Sequence, residues 1–233
     1  MGLFRKKRGV MVGLVAFPIG VALGFPALVA YIVSKAGGMS VASYLPQFID
    51  AFSFWFVIGA VSLPTVIAGY GIVGEKVEKS LEPLLSTPTT DGEILLGKVL
   101  AAFLPTILAI WAGSALFQRL IDRVTRGALG FYYYPNWSMA LVLFLLAPLA
   151  CLYAIEVSVL VSSRVTDVRS SQQSAGLVFL PFIFLYIAGE IGYFTLDTTH
   201  LLYVAAVLAA LVVFLFVVSE RVFHREEILT RWK

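Results

Sequence analysis

The chain reads as an all-α, polytopic membrane protein with six transmembrane helices, and three observations predict that class. Of its 233 residues, 60% are hydrophobic and 13% charged, against roughly 25% charged in an ordinary soluble domain. Mean hydropathy is +0.92, concentrated in runs that approach the about 20 apolar residues a helix needs to cross a hydrocarbon core. The runs lack the in–out alternation that a membrane barrel requires.

The predicted spans are Val10–Val33, Phe48–Val73, Ile94–Leu120, Trp137–Val161, Gly176–Ile191 and Leu201–Ser219, the fifth being the shortest. The first follows MGLFRKKRG but is too long for a signal-peptide core, and no small-x-small cleavage site closes it, so it is read as retained. Gly2 does not make a myristoylation signal, because Lys6 stands where Ser or Thr is needed. Gly9-x3-Gly13 and Gly20-x3-Gly24 put small residues on one face of this span, the pattern of close helix packing. The expected partner is another span of the chain, with a second subunit as the alternative.

Pro18, Pro26, Pro64, Pro105, Pro148 and Pro181 fall within the first five spans, and each removes a backbone donor. Pro181, with Gly189 and Gly192, predicts a break near the outer end of the fifth span. Phe48, Phe52, Trp55 and Gly59 share a face of the second span, which reads first as packing or lipid contact. Tyr132, Tyr133, Tyr134 and Trp137 resemble an interfacial aromatic belt. Cys151, the single cysteine, excludes a disulfide framework and a cysteine zinc site. With no repeat or appended soluble segment, residues 1–233 are expected to form one transmembrane domain.

Loop charge sets orientation. With a cytoplasmic N-terminus, the inside collects Arg5, Lys6, Lys7, Arg8, Lys76, Lys79, Lys98, Arg164, Arg169, Arg221, Arg225, Arg231 and Lys233, while Lys35, Arg119, Arg123 and Arg126 stay outside. Both termini and the polar hairpin 74–98 are therefore expected in the cytoplasm of a plasma-membrane protein.

That hairpin, GEKVEKSLEPLLSTPTTDGEILLGK, holds many of the acidic side chains. Glu75 to Leu85 can form a short amphipathic helix: Val77, Leu81 and Leu84 lie on one side, and Glu75, Lys76, Glu78, Lys79 and Glu82 on the other. Glu75–Lys79 is an i,i+4 pair, Pro83 bends or ends the helix, and Thr90-x-x-Glu93 is a capping box for the next span. A plain connection would need only a few residues. A solvated loop is the bland alternative, and a rigid lever for a partner protein is the sharper one.

Glu75-Lys76, Leu81-Glu82, Leu84-Leu85-Ser86-Thr87-Pro88 and Ile94-Leu95-Leu96-Gly97-Lys98 together resemble the segment after the second span of ABC type-2 exporter permeases. The resemblance implies that Glu75–Glu82 is a coupling helix docking on a separate ATP-binding-cassette ATPase subunit, with Leu84 and Leu85 completing the contact. It also implies a permease dimer, homologous or identical, with ATP and magnesium held by the ATPase subunits and no cofactor bound by this chain. Ser80 replaces the glycine common before the Leu-Glu pair, and the segment before the first span is short.

Other motifs fall away. Gly92-x4-Gly97-Lys98 fits a phosphate loop until Val99, where a magnesium-binding hydroxyl belongs. Glu226-Glu227 resembles the paired glutamates of intramembrane CAAX-type proteases, but no histidine follows His224 to complete such a site. Glu156 and Glu190 are carboxylates inside predicted spans, costly enough there to raise a functional question. An ion pair or an interfacial position is the expected state of Glu156, with a water-filled vestibule or a substrate path as the alternatives. Glu190, and the Phe52–Trp55 wall, become gate or cavity candidates through the resemblance. Arg119, Arg123 and Arg126 form a stripe read as solvated or snorkelled to headgroups, with a landing site for an anionic substrate headgroup or polymer as the alternative. The expected function is therefore export of an amphipathic or apolar substrate by alternating access. An ion-coupled carrier acting through Glu156 or Glu190, and an intramembrane protease-like enzyme, are the alternatives.

Overall fold

A computed structural model describes residues 8–36, 42–77, 91–164, 177–191 and 198–222, and every regular element among them is helical. In chain order these are α1 (Arg8–Ala36), α2 (Leu45–Ser53), α3 (Trp55–Val77), α4 (Asp91–Leu129), α5 (Trp137–Leu141), a π-helical stretch (Val142–Leu146), α6 (Ala147–Arg164), a 3-10 turn (Leu177–Phe179), α7 (Leu180–Glu190) and α8 (Thr198–Val222). Among the described residues five segments are long and apolar enough to cross a membrane: Val12–Lys35, Leu45–Thr65, Gly92–Leu129, Trp137–Val161 and Thr198–Ser219. The expected fifth span appears as a shorter apolar helix, Leu177–Gly189. Below, the hairpin end is the end of the bundle near residues 74–98, and the loop end is the one near residues 130–136.

The second span is the hub. Its apolar window is 72% buried inside the protein, against 28% for the first span and 17% for the last. Phe52, Phe56 and Ala60 face a core shared with α1 and α4, while Phe54, Val57, Ile58 and Val61 face a second core shared with α6, α7 and α8. A helix apolar all round belongs in such a position. The flanking helices keep apolar faces free for lipid, with Val12, Val15 and Leu23 of α1 and Tyr203, Val213 and Phe214 of α8 exposed.

This span is stepped rather than continuous. Pro46 starts α2 in its first turn, where the missing donor costs nothing. At Phe54 the amide reaches back to Ala51 O at 3.2 Å, a tighter turn, before α3 resumes. α3 then runs through Gly74 to Val77, so Glu75 to Val77 extend the span instead of opening a separate helix. The third span also outgrows its expected end: α4 has 39 residues, about 58 Å at 1.5 Å per residue. It stops at Gly130, whose φ of 78° suits the left-handed cap after a helix.

Pro148 shows how a kink is absorbed. The π-stretch sends the amide of Ala147 to Val142 O, and the next residue, Pro148, has no N–H. Leu143 O is thereby stripped of both its helical donors. The indole of Trp111 on α4 fills the vacancy, Nε1 donating to Leu143 O at 3.0 Å. Pro181, expected to break its span near the outer end, instead lies in the first turn of α7, right after the 3-10 turn, where proline is tolerated.

The glycines that let helices meet are not those of the first-span motifs. A Cβ on Gly113 would lie 2.5 Å from Pro18 Cβ, and one on Gly59 would lie 2.4 Å from Phe17 Cε1. Gly13, Gly20 and Gly24 would meet nothing within 4 Å. The expected intrachain packing of those three positions is therefore wrong: α1 approaches α4 through Pro18, not through its glycine face.

Candidate functional site

At the loop end, polar side chains knit four pieces of chain together. Asp122 Oδ1 accepts from the amides of Tyr133 and Tyr134, both at 2.9 Å, and so fastens the loop onto α4. Tyr133 donates its hydroxyl to Pro46 O at 3.1 Å, and the Tyr134 and Ser53 hydroxyls share a 2.8 Å bond. Asn136 caps α5 by accepting from the Met139 amide at 2.8 Å, and its amide nitrogen lies 3.4 Å from Asp50 Oδ1. Burial pushes the Tyr133 and Tyr134 phenols well above their ordinary range, with Asp50 raising both further. The expected aromatic belt is thus only half a belt. Tyr134 is 5% exposed and Tyr133 half-buried, while Tyr132 and Trp137 remain outside at 59% and 68%.

Next to this network is an aromatic seam. Phe25 of α1 stacks on Phe52 at 4.1 Å between ring centres and tilts against Trp55 at 5.6 Å. Tyr186 of α7 meets Trp55 edge-on at 5.9 Å and stacks over Phe54 at 6.0 Å. Phe52 and Trp55, the sequence candidates for a cavity wall, therefore join the second span to the first and fifth. Phe52 is buried at 7% and Gly59 makes room for Phe17, so most of the predicted face is packing. Trp55 Nε1 is the exception, a buried donor with no hydrogen-bond partner.

Glu156 lies elsewhere. Phe54 and Val142 line one cleft near the loop end, with Asp50, Ser53, Ser138 and Leu201. Glu156 is fourteen residues beyond Val142, about 21 Å along the helix. Its side chain is 4% exposed and Oε2 has no partner. The ion pair expected for it is absent among the described residues: α6 places it on a packed face, and no cation there reaches it. Ser219 Oγ, buried near the same end of α8, is likewise unpaired. Glu190 is the last residue of α7, one turn past Tyr186; its side chain lies outside the described residues. The four cavity candidates thus divide, with Phe52, Trp55 and Glu190 toward the loop end and Glu156 toward the hairpin end.

Of the coupling candidates, Glu75, Lys76 and Val77 form the last turn of α3. Glu78, Lys79, Leu81, Glu82, Leu84 and Leu85 lie outside the described residues, as do Thr90 and the Glu226-Glu227 pair. Gly92, Gly97 and Lys98 belong to the opening turns of α4 rather than to a phosphate-cradling loop. Among the described residues no group of three or more His, Cys, Asp or Glu side chains is arranged to hold a metal. Asp122 and Ser53 escaped sequence reasoning. A lone aspartate amid arginines and a serine in an apolar run carry no signal until the loop folds back on them.

No curated protein matches the chain. The sequence model of a family described as ABC-2 family transporter protein matches residues 4–203. That span covers all the helices but most of the last one, so this all-helical, multi-pass membrane chain belongs to the ABC-2 transporter family, as a permease subunit of an ABC transporter.

Proposed function

We propose that the chain, a single transmembrane domain over residues 1–233, is the permease of an ATP-binding-cassette exporter that moves an amphipathic or apolar substrate across the plasma membrane. It works as a dimer with a second permease copy or homologue and two separate ATPase subunits, which carry ATP and magnesium. Both termini and hairpin 74–98 face the cytoplasm. Glu75, Lys76, Val77, Glu78, Lys79, Leu81, Glu82, Leu84 and Leu85 couple the hairpin to the ATPase.

The observation that supports this reading most is the course of α3. One helix begins at Trp55, within the aromatic seam, and ends at Val77, inside the hairpin. Its 23 residues form a rod of about 34 Å. A push on the hairpin is thereby delivered to the packing of Phe25, Trp55 and Tyr186 along one continuous helix, whose interior proline is Pro64. Closure of the ATPase dimer supplies the push, and the spans reorient between inward and outward access. Substrate biases this equilibrium only by its differential affinity for the two states.

Reconstitution with the partner ATPase tests the coupling. Leu81→Asp and Leu84→Asp, on the apolar side of the hairpin, should abolish permease-dependent stimulation of ATP hydrolysis while the isolated ATPase keeps its basal rate. Undiminished stimulation in both variants would remove the hairpin from the mechanism.

A further inference from the structure

The arginine stripe on α4 has no place in the transport cycle just described. Arg119, Arg123 and Arg126 are all exposed, on the side of the helix opposite the fully buried Phe117, Ile121 and Thr125. No carboxylate forms an ion pair with them among the described residues, and Asp122 between them is turned to the loop amides. Arg126 is held over the Tyr132 ring at 4.6 Å.

Their height in the bilayer follows from the same helix. The lipid-facing apolar side chains of α4 run from Leu96 to Leu116, a rise of about 30 Å, the thickness of a hydrocarbon core. Arg119 comes one turn later. Side chains on a helix lean toward its N-terminus, which here is toward the membrane. Arg119 and Arg123 thus reach into the headgroup layer, and Arg126 stands at its outer edge. Phe131, Tyr132 and Trp137, exposed by 56%, 59% and 68%, lie at the same end, where aromatic rings favour the headgroup level.

We propose that this surface binds anionic phospholipids of the outer leaflet, with Arg119 and Arg123 on the phosphates and the exposed Phe131, Tyr132 and Trp137 rings packed among the headgroups beside them. The choice of leaflet rests on the orientation proposed above; the contact itself does not. A soluble polyanion would satisfy the arginines but leave the rings in water, which is why a lipid is the better occupant. The guanidinium fork suits phosphate oxygens.

The test uses the full chain in bilayers of phosphatidylcholine and phosphatidylglycerol, reading the immobilised fraction of each spin-labelled lipid. The wild type should prefer phosphatidylglycerol, less so at high salt. Arg119→Gln and Arg123→Gln should each lower that preference about two- to fivefold, Arg126→Gln less, and the lysine variants should recover most of it. Basic residues at the hairpin end also attract anionic lipid, so the triple glutamine variant sets the baseline. A triple variant with wild-type preference and unchanged thermal unfolding would overturn the proposal. So would displacement of the labelled lipid by glycerol phosphate at matched concentration. For the leaflet, Gly127→Cys in a Cys151→Ala background should react with an impermeant maleimide in intact cells; protection there would overturn the outer-leaflet assignment while the binding measurement still stands.

Discussion

At the loop end, Asp50, Ser53, Asp122, Tyr133, Tyr134 and Asn136 are joined in hydrogen bonds that tie α2, α4, α5 and the intervening loop. Toward the hairpin end, Glu156 and Ser219 are more deeply buried than Asp50, Asp122, Tyr133 or Asn136, and Glu156 Oε2 and Ser219 Oγ have no partner; beside the loop-end network only Trp55 Nε1 shares that state among the described residues. A satisfied polar network stiffens the segments it joins, whereas a buried polar atom without a partner carries its desolvation cost uncompensated. The loop end therefore resists separation of its helices, and the hairpin end gains when water or another group reaches Glu156. Should the hairpin be where a partner ATPase pushes, as proposed, that asymmetry makes the hairpin end the easier one to open.

The largest effect should come from Asp122→Ala. It removes an ionised acceptor serving two backbone amides and should cost about 3 kcal/mol of stability. Denaturant unfolding of the purified full chain in detergent measures it, and Asp122→Asn, which keeps an acceptor, should cost less. A loss below about 1 kcal/mol would mean that the loop is held by its rings and not by this carboxylate.

Gly113→Ala comes next, because its new methyl would press on Pro18 backbone as well as side chain. Overpacking of this kind should cost about 1–3 kcal/mol, whereas Gly20→Ala, which meets nothing, should leave unfolding unchanged. Equal effects would erase the distinction between the packed and the open face of α1.

Most of the spans were legible in the sequence because hydropathy is a local property, although the fifth proved a shorter helix than expected. So was the kink at Pro148, where the missing donor is visible in the residue itself. Its remedy was not: that Trp111 would face Leu143 O depends on how α4 and the π-stretch pack. The same limit explains Gly113, whose neighbours in sequence are unremarkable and whose neighbour in space is Pro18. The glycine motif on α1 misled for the converse reason. A small-residue face permits close packing without naming a partner, and Gly13, Gly20 and Gly24 have none among the described residues.

A smaller effect tests the hydroxyls of the loop end. Tyr134→Phe breaks the bond to Ser53 and should cost about 1 kcal/mol. Because burial raises both phenols above their unfolded values, folding is supported below roughly pH 10 and loses support as pH rises beyond it. Alkaline unfolding should therefore be shallower in Tyr134→Phe than in the wild type. Identical alkaline curves would place the Tyr134 phenol in solvent.

The smallest change in stability, and the most informative, is expected of Glu156→Gln. The substitution keeps the shape and removes the possibility of a charge at a position with one unsatisfied oxygen. Stability should stay within about 0.5 kcal/mol of wild type or rise slightly, since no partner is left stranded. If the carboxylate meets water or cargo only when the hairpin end opens, ATPase-driven transport should nevertheless fall. A destabilised variant would point to a partner that packing conceals, and a stable variant with full transport would make Glu156 a tolerated burden rather than a working residue. The contrast between the two ends thus turns on whether the cheaper of the two substitutions in folding is the costlier one in function: Asp122→Asn should weaken the fold before transport, and Glu156→Gln transport before the fold.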